Sequence, residues 1–323
     1  MRNGECLRIG FLPLLLLVFF MCAPVLVMAA DEEGGIKTSS EIQLQISTLP
    51  EVKFCFNQNF IFPFLQGSGP LIKDNNVTVA LRAELSPVSL NGIGEIIWTP
   101  VAFFLISGGG MAGTGWNYAL GDGIGLCEPV GGGSPRKTET NGKAFGGLNW
   151  RAWGAATLQF DLGAVIPGDW THVLFQTRQE FRYAGYTGAG SGDFWVFEND
   201  DRENQNGWVY YASYVLGYQM PQSPVLNTIA FMAEMAKSLY NTSGGDSWGE
   251  GLGRWFFSGI FNFSFHPKFS TAVIVQMRTL RNFGTSNLND NSYYYPDLVL
   301  EKEGGRRRVL FHRAAFILSY KIH

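Results

Sequence analysis

The sequence predicts an all-β chain that closes into an antiparallel, membrane-spanning barrel of about ten strands. Three observations predict it. Apolar and polar residues alternate with period two in segment after segment. Long and short connections alternate between those segments. After the N-terminus no second long apolar run occurs, so any membrane crossing must be made by strands.

The first thirty residues read as a cleaved export signal. Arg2 and Arg8 form a basic start, Phe11 to Val27 is almost unbroken apolar sequence, and Val27-Met28-Ala29-Ala30 offers small residues for cleavage before the acidic Asp31-Glu32-Glu33. Residues 31–51 are expected to be a periplasmic N-terminal segment that could also enter the lumen. Residues 52–323 are expected to form the barrel.

The strands follow in order. Val77, Val79, Leu81, Ala83 and Leu85 oppose Thr78, Ala80, Arg82 and Glu84. From Trp150 to Leu162 one face carries Ala156, Leu158 and Phe160, the other Arg151, Gln159 and Asp161. Phe175, Phe181 and Tyr183 oppose Gln176, Arg178, Glu180 and Arg182. Phe257, Phe261 and Phe265 oppose Ser258, Asn262 and His266, and Val273, Val275 and Met277 oppose Gln276 and Arg278. Ala314, Phe316, Leu318 and Tyr320 oppose Arg313, Ser319 and Lys321. Less regular strands cover 52–64, 93–106, 207–219 and 225–239. The 93–106 segment is apolar on both faces and contains Pro100, which cannot donate to a ladder. The connections Ser86–Gly92, Gly163–Asp169, Met220–Pro224 and His266–Phe269 are short. Leu65–Asn76, Ser107–Lys143, Tyr186–Asn206, Tyr240–Leu252 and Gly284–Gly305 are long. Short turns at one end and long loops at the other are the habit of membrane barrels.

Which face meets lipid follows from cost. A cationic side chain at the bilayer midplane costs roughly 2–4 kcal/mol. The charges therefore belong inside and the oily face outside. Trp150, Trp208, Tyr210 and Trp255 gather toward the long loops; Phe160, Tyr218, Phe265 and Tyr320 gather toward the short turns. That is the pattern of two interfacial girdles.

On the signal, the strand pattern and the last strand Val309–His323, the chain resembles bacterial outer-membrane β-barrel proteins as a class. The resemblance implies an outer-membrane location, contact with outer-membrane lipid, and delivery by the assembly machinery that reads the last strand. Phe316 and Tyr320 keep the outward phase, although the chain ends on Lys321-Ile322-His323.

Function turns on the inward face. Arg82, Glu84, Arg151, Asp161, Arg178, Glu180, Arg182, Glu234, Arg278 and Arg313 all take the lumenal phase. Charges removed from water must pair or be hydrated. They line either a narrow pore for small solutes or a salt-bridge plug. If a pore, the excess of inward Arg predicts anion preference. A second reading is a structural or adhesive barrel whose long loops bind surface ligands. A third is an enzyme of the omptin or outer-membrane phospholipase kind. It is disfavoured because His172 and His266 fall at the turn side, His312 has the outward phase, and His312-Arg313-Ala314 lacks the serine. No catalytic, cofactor or metal residues are expected.

The remaining features are bland. A net charge of −3 with no basic stripe excludes a nucleic-acid partner. Cys55 and Cys127 are left after processing, and whether they pair is open. The glycine runs at 107–110 and 131–133 lack the Lys-Ser/Thr of a phosphate loop and read as loop. The acidic Glu198–Glu203 run reads as solvated loop charge, and Arg306-Arg307-Arg308 as loop charge or contacts to head-group phosphates.

Overall fold

A computed structural model describes residues 35–322, except 50, 118–122, 130–137, 142, 167, 169, 192, 194, 199–203, 221–224, 240–252, 282, 285–291, 296–297 and 302–306. The expected signal lies outside the described residues. The strands are β1 (Lys37–Ser47), β2 (Val52–Pro63), β3 (Asn76–Leu85), β4 (Ser89–Val101), β5 (Phe104–Gly115), β6 (Ile124–Pro129), β7 (Thr138–Asn141), β8 (Asn149–Asp161) and β9 (Val173–Tyr186). They continue with β10 (Trp195–Phe197), β11 (Gly207–Gln219), β12 (Leu226–Ser238), β13 (Arg254–His266), β14 (Phe269–Arg281), β15 (Phe283–Gly284), β16 (Ser292–Tyr295), β17 (Leu298–Glu301) and β18 (Arg307–Lys321).

Twelve of these close a barrel in the order β1-β18-β14-β13-β12-β11-β9-β8-β5-β4-β3-β2. Every neighbouring pair is antiparallel, and β1 joins β18 to β2 with Leu44 opposite both Leu318 and Phe54. Closure leaves no row of unpaired N–H and C=O groups to face lipid. Two small sheets, β10-β6-β7 and β15-β17-β16, are formed in the connections.

Twelve strands replace the expected ten, for two reasons. Residues 31–51 were expected outside the wall, yet Lys37–Ser47 is the wall strand β1. Ile42, Leu44 and Ile46 alternate there, but Thr38-Ser39-Ser40 dilutes the pattern at its start. The second reason is that 93–106 is not one strand. The chain turns back at Ala102-Phe103, with the β4–β5 register shifting between Trp98 and Val101. Pro100 sits at that irregularity. The glycines at 131–133 lie outside the described residues, and those of the 107–110 run, expected to be loop, are instead in strand β5. Gly109 shows why. A Cβ there would lie 2.5 Å from the Trp153 ring and 2.6 Å from the Gly94 carbonyl oxygen. Only glycine lets that indole cross the inner wall.

The two extra reversals also redistribute the connections. β1 begins and β18 ends at one end of the barrel, the terminal end, from which the connections 64–75, 102–103, 162–172, 220–225 and 267–268 depart. The opposite, loop end carries 48–51, 86–88, 116–148, 187–206, 239–253 and 282–306. The short Ser86–Gly92 and the long Leu65–Asn76 had therefore been expected at each other's ends. A missed strand and a missed turn each invert sidedness, so from β8 onward the two errors cancel.

The outer face is oily. Ile96, Phe181, Leu216 and Phe231 are each more than half exposed, and Leu158, Phe175, Phe261, Val275 and Phe316 are also exposed. Such a belt is unfavourable in water at roughly 25 cal/mol per Å², and lipid removes that penalty. Opposite it, Glu180 is 5% exposed and Gln276 6%. Polar groups occupy the inside, as only a membrane-embedded barrel requires. No described helix is long and apolar enough to cross a membrane.

Candidate functional site

The inner wall carries a chain of charge-assisted contacts. At its centre Arg178 on β9 donates to Glu95 on β4 at 2.8 Å, to Glu180 at 2.9 Å and to Ser107 on β5 at 3.3 Å. Trp153 on β8 donates its indole N–H to the same Glu95 at 3.2 Å, over the space that Gly109 leaves. Arg182 pairs with the other Glu180 oxygen at 2.7 Å and lies over the Tyr211 ring at 4.2 Å. Tyr211 donates to Glu234 at 2.5 Å. From Glu234 the chain continues through Gln276, which also donates to Ser258 at 3.0 Å. Arg313 then bonds Gln276 at 3.1 Å and Glu51 at 2.6 Å.

A second cluster lies toward the loop end of β2, β3 and β4. Lys53 reaches Glu84 at 3.2 Å, and Arg82 pairs with Glu84 at 2.7 Å. Arg82 also donates to the Cys55 sulfur at 3.3 Å. Cys55 is a buried free thiol. The side chain of Cys127 lies outside the described residues.

Above this cluster the mouth is occupied by loop structure. β6, from the 116–148 connection, pairs on one side with β7 of the same connection and on the other with β10, from the 187–206 connection. Ile124, Trp195, Phe197 and Tyr186 form a buried apolar core that packs against Met111 and Leu126. Tyr186 and Met111 belong to wall strands, so this small sheet is seated on the barrel itself. Directly after β10, Glu198 accepts from Lys53 at 2.8 Å, from Asn91 at 2.8 Å and from Ser89 at 2.5 Å. Its backbone N–H donates to Gly123 at 2.9 Å, and its φ is +54°. Burial alone would raise the Glu198 carboxyl, but Lys53 and the hydrogen bonds from Lys53, Ser89 and Asn91 hold it below the ordinary carboxylate range.

The sequence-derived residues distribute as follows. Arg82, Glu84, Arg178, Glu180, Arg182, Glu234 and Arg313 enter the two clusters. Arg151, opposite Met111, and Arg278, opposite Phe256, take the same inward phase through their registers. Asp161 does something different. It clamps the 162–172 turn, accepting from Gly163 at 2.9 Å and lying 2.8 Å from His172. His312 departs from its expected outward phase. The β14–β18 register slips between Gln276 and Met277, and the resulting bulge sets His312 against Phe256 at 5.6 Å. The side chains of Arg306, Arg307 and Arg308 lie outside the described residues.

Sequence reasoning missed Lys53, Glu95, Asn91, Ser89 and Glu198. Glu198 was read as solvated loop charge, but the apolar triplet Trp195-Val196-Phe197 immediately before it is the signal that this loop packs inward. The expected excess of inward Arg over acids is offset by Glu51, Glu95 and Glu198.

Among the described residues no group of three or more His, Cys, Asp or Glu is arranged to hold a metal. The architecture, a closed barrel with an apolar outside and a charged inside, is that of an outer-membrane β-barrel protein. No family model matches the chain, and no curated protein does. Solved structures with a similar trace include the KdgM porin in complex with disordered oligogalacturonate, at 9% identity and TM-score 0.37, covering 88% of this chain and 99% of that one. The NanC porin matches at 6% identity and TM-score 0.39, covering 87% and 97%. OmpT, an outer membrane protein of Vibrio cholerae, matches at 7% identity and TM-score 0.31, covering 88% and 97%. Likenesses this remote carry no inference about what passes through or binds to this chain.

Proposed function

We propose that the protein is a small outer-membrane channel that passes small hydrophilic solutes through a hydrated, charge-lined lumen. The observation that carries this reading is the strand number. About eight strands enclose an interior that side chains can fill, and diameter grows nearly linearly with strand number. Twelve strands enclose more than the wall's own side chains fill. The ion pairs fit that view. Lys53–Glu84 joins neighbouring strands, Arg178–Glu95 joins strands three places apart in the ring, and Arg178–Glu180 and Arg182–Glu180 lie within β9. They follow the wall rather than cross the lumen, which leaves a path beside them.

In this reading the terminal end faces the periplasm and the loop end faces outward, because long loops are extracellular in such barrels. With Glu51, Glu95 and Glu198 set against the inward arginines, the pore discriminates weakly between anions and cations. Purified protein in planar bilayers under a salt gradient tests both statements. The expected result is discrete conductance with a reversal potential near zero. Insertion without conductance overturns the channel. A strongly anion-selective current keeps the channel and overturns the balanced lumen.

A further inference from the structure

The loop that carries Glu198 is rooted between β9 and β11. Its partner Lys53 is on β2, and the ring runs β11-β9-β8-β5-β4-β3-β2, so Lys53 stands five places from β9 and six from β11 in a ring of twelve, while Ser89 and Asn91 on β4 stand three and four places away. The loop therefore reaches over the mouth to make these contacts. At its tip three donors from two wall strands converge on one carboxylate. Ser89 and Asn91 are buried, at 0% and 3% exposure, so the cradle is part of the wall rather than a surface encounter. Glu198 holds a left-handed backbone that non-glycine residues seldom adopt. Such a conformation persists where the surrounding contacts over-determine it.

We propose that the β6–β7–β10 sheet is a lid over the loop-end mouth, and that Glu198 in the Lys53–Ser89–Asn91 cradle is its catch. The lid has two kinds of hold. Its apolar underside, Ile124, Trp195 and Phe197, seats on Tyr186 and Met111 of the wall. Its far tip is tied down by the ionic catch. Releasing the catch frees the tip while the seat keeps the hinge side in place. Glu84 and Arg82 share the cradle, so Lys53 stays neutralised by Glu84 when Glu198 leaves. That makes opening less unfavourable than stranding a lone buried charge. The gating consequence rests on the channel reading; the lid itself does not.

The test uses Val196, which is 0% exposed on the lid. Val196→Cys, in a Cys55→Ser, Cys127→Ser background, reports lid opening through its rate of reaction with a membrane-impermeant maleimide. Expected are slow labelling with Glu198 in place and labelling at least tenfold faster in Glu198→Gln and in Lys53→Met. Conductance of the same variants is recorded in parallel. Faster labelling with larger or more frequent openings supports lid and channel together. Faster labelling with no conductance in any variant supports the lid and overturns the channel. Unchanged labelling in both single variants, with circular dichroism showing an intact barrel, overturns the lid whatever the conductance does.

Discussion

Arg178 is the residue on which most of the lumenal chain depends. It bonds Glu95, Glu180 and Ser107 from three different strands. Glu180 keeps Arg182 when Arg178 is removed, but Glu95 keeps only neutral donors, the Trp153 indole and the Ser107 hydroxyl. Breaking a buried pair from one side costs roughly 3–5 kcal/mol, much of it the desolvation of the orphaned charge. The partial exposure of both Arg178 and Glu95 reduces that, so Arg178→Gln is expected to destabilise the barrel by about 2 kcal/mol. The temperature at which the barrel loses its compact mobility on a detergent gel measures this. Glu95→Gln should lose less, because no buried charge is stranded when the acid rather than the arginine is neutralised and Arg178 retains Glu180. Equal losses from the two variants would mean that the pair acts mainly by packing. The same scale accounts for His312. Alternation assigns it outward, and one register slip against β14 turns it to the lumen beside Phe256. Period two has no way to announce such a slip, since it comes from the partner strand.

At the scale of elements the β4–β5 hairpin is the instructive case. Its glycines look like a loop, and in isolation Gly weakens a strand. They are tolerated because β4 and β8 flank β5 on both sides and supply its ladder. Gly109 in particular makes room for Trp153 to reach Glu95. Gly109→Ala would place a methyl in the indole ring and against backbone, so neither neighbour can yield cheaply. The expected cost is about 1–3 kcal/mol of overpacking, together with a change in near-ultraviolet circular dichroism as the indole is displaced. Gly154→Ala, on the outward face of β8 with nothing within 4 Å of its added Cβ, is the matched control and should be silent. A silent Gly109→Ala would show that Trp153 has an alternative seat.

At the scale of the whole molecule, closure decides everything else. β1 is the one strand that bridges β2 and β18. Deleting residues 37–47 would leave both neighbours with unpaired backbone groups in hydrocarbon, each costing several kcal/mol. That variant is expected to reach the membrane fraction unfolded or be degraded, read as loss of heat-modifiable mobility. A periplasmic tail, by contrast, could be removed without effect. Normal folding of the deletion variant would require β2 and β18 to pair directly in an eleven-stranded ring, in which one pair would have to be parallel.

The sequence by itself determined the class of fold and the two faces of most strands. Alternation is local, and burying charge in lipid is so unfavourable that β8, β9, β13, β14 and most of β18 admit one phase only. It also placed Arg82, Glu84, Arg178, Glu180, Arg182, Glu234 and Arg313 on one side of the sheet. Only the tertiary structure decided how many strands the ring needs, which end the β2–β3 and β3–β4 connections face, and what those charges touch. Strand number is a condition on closure of the whole ring, and the weak alternation of Lys37–Ser47 becomes a strand only because β2 and β18 are both there to be satisfied. Glu198 belongs to the same category. It is 145 residues from Lys53 along the chain, and nothing local to either residue tells that the loop reaches over the mouth to join them.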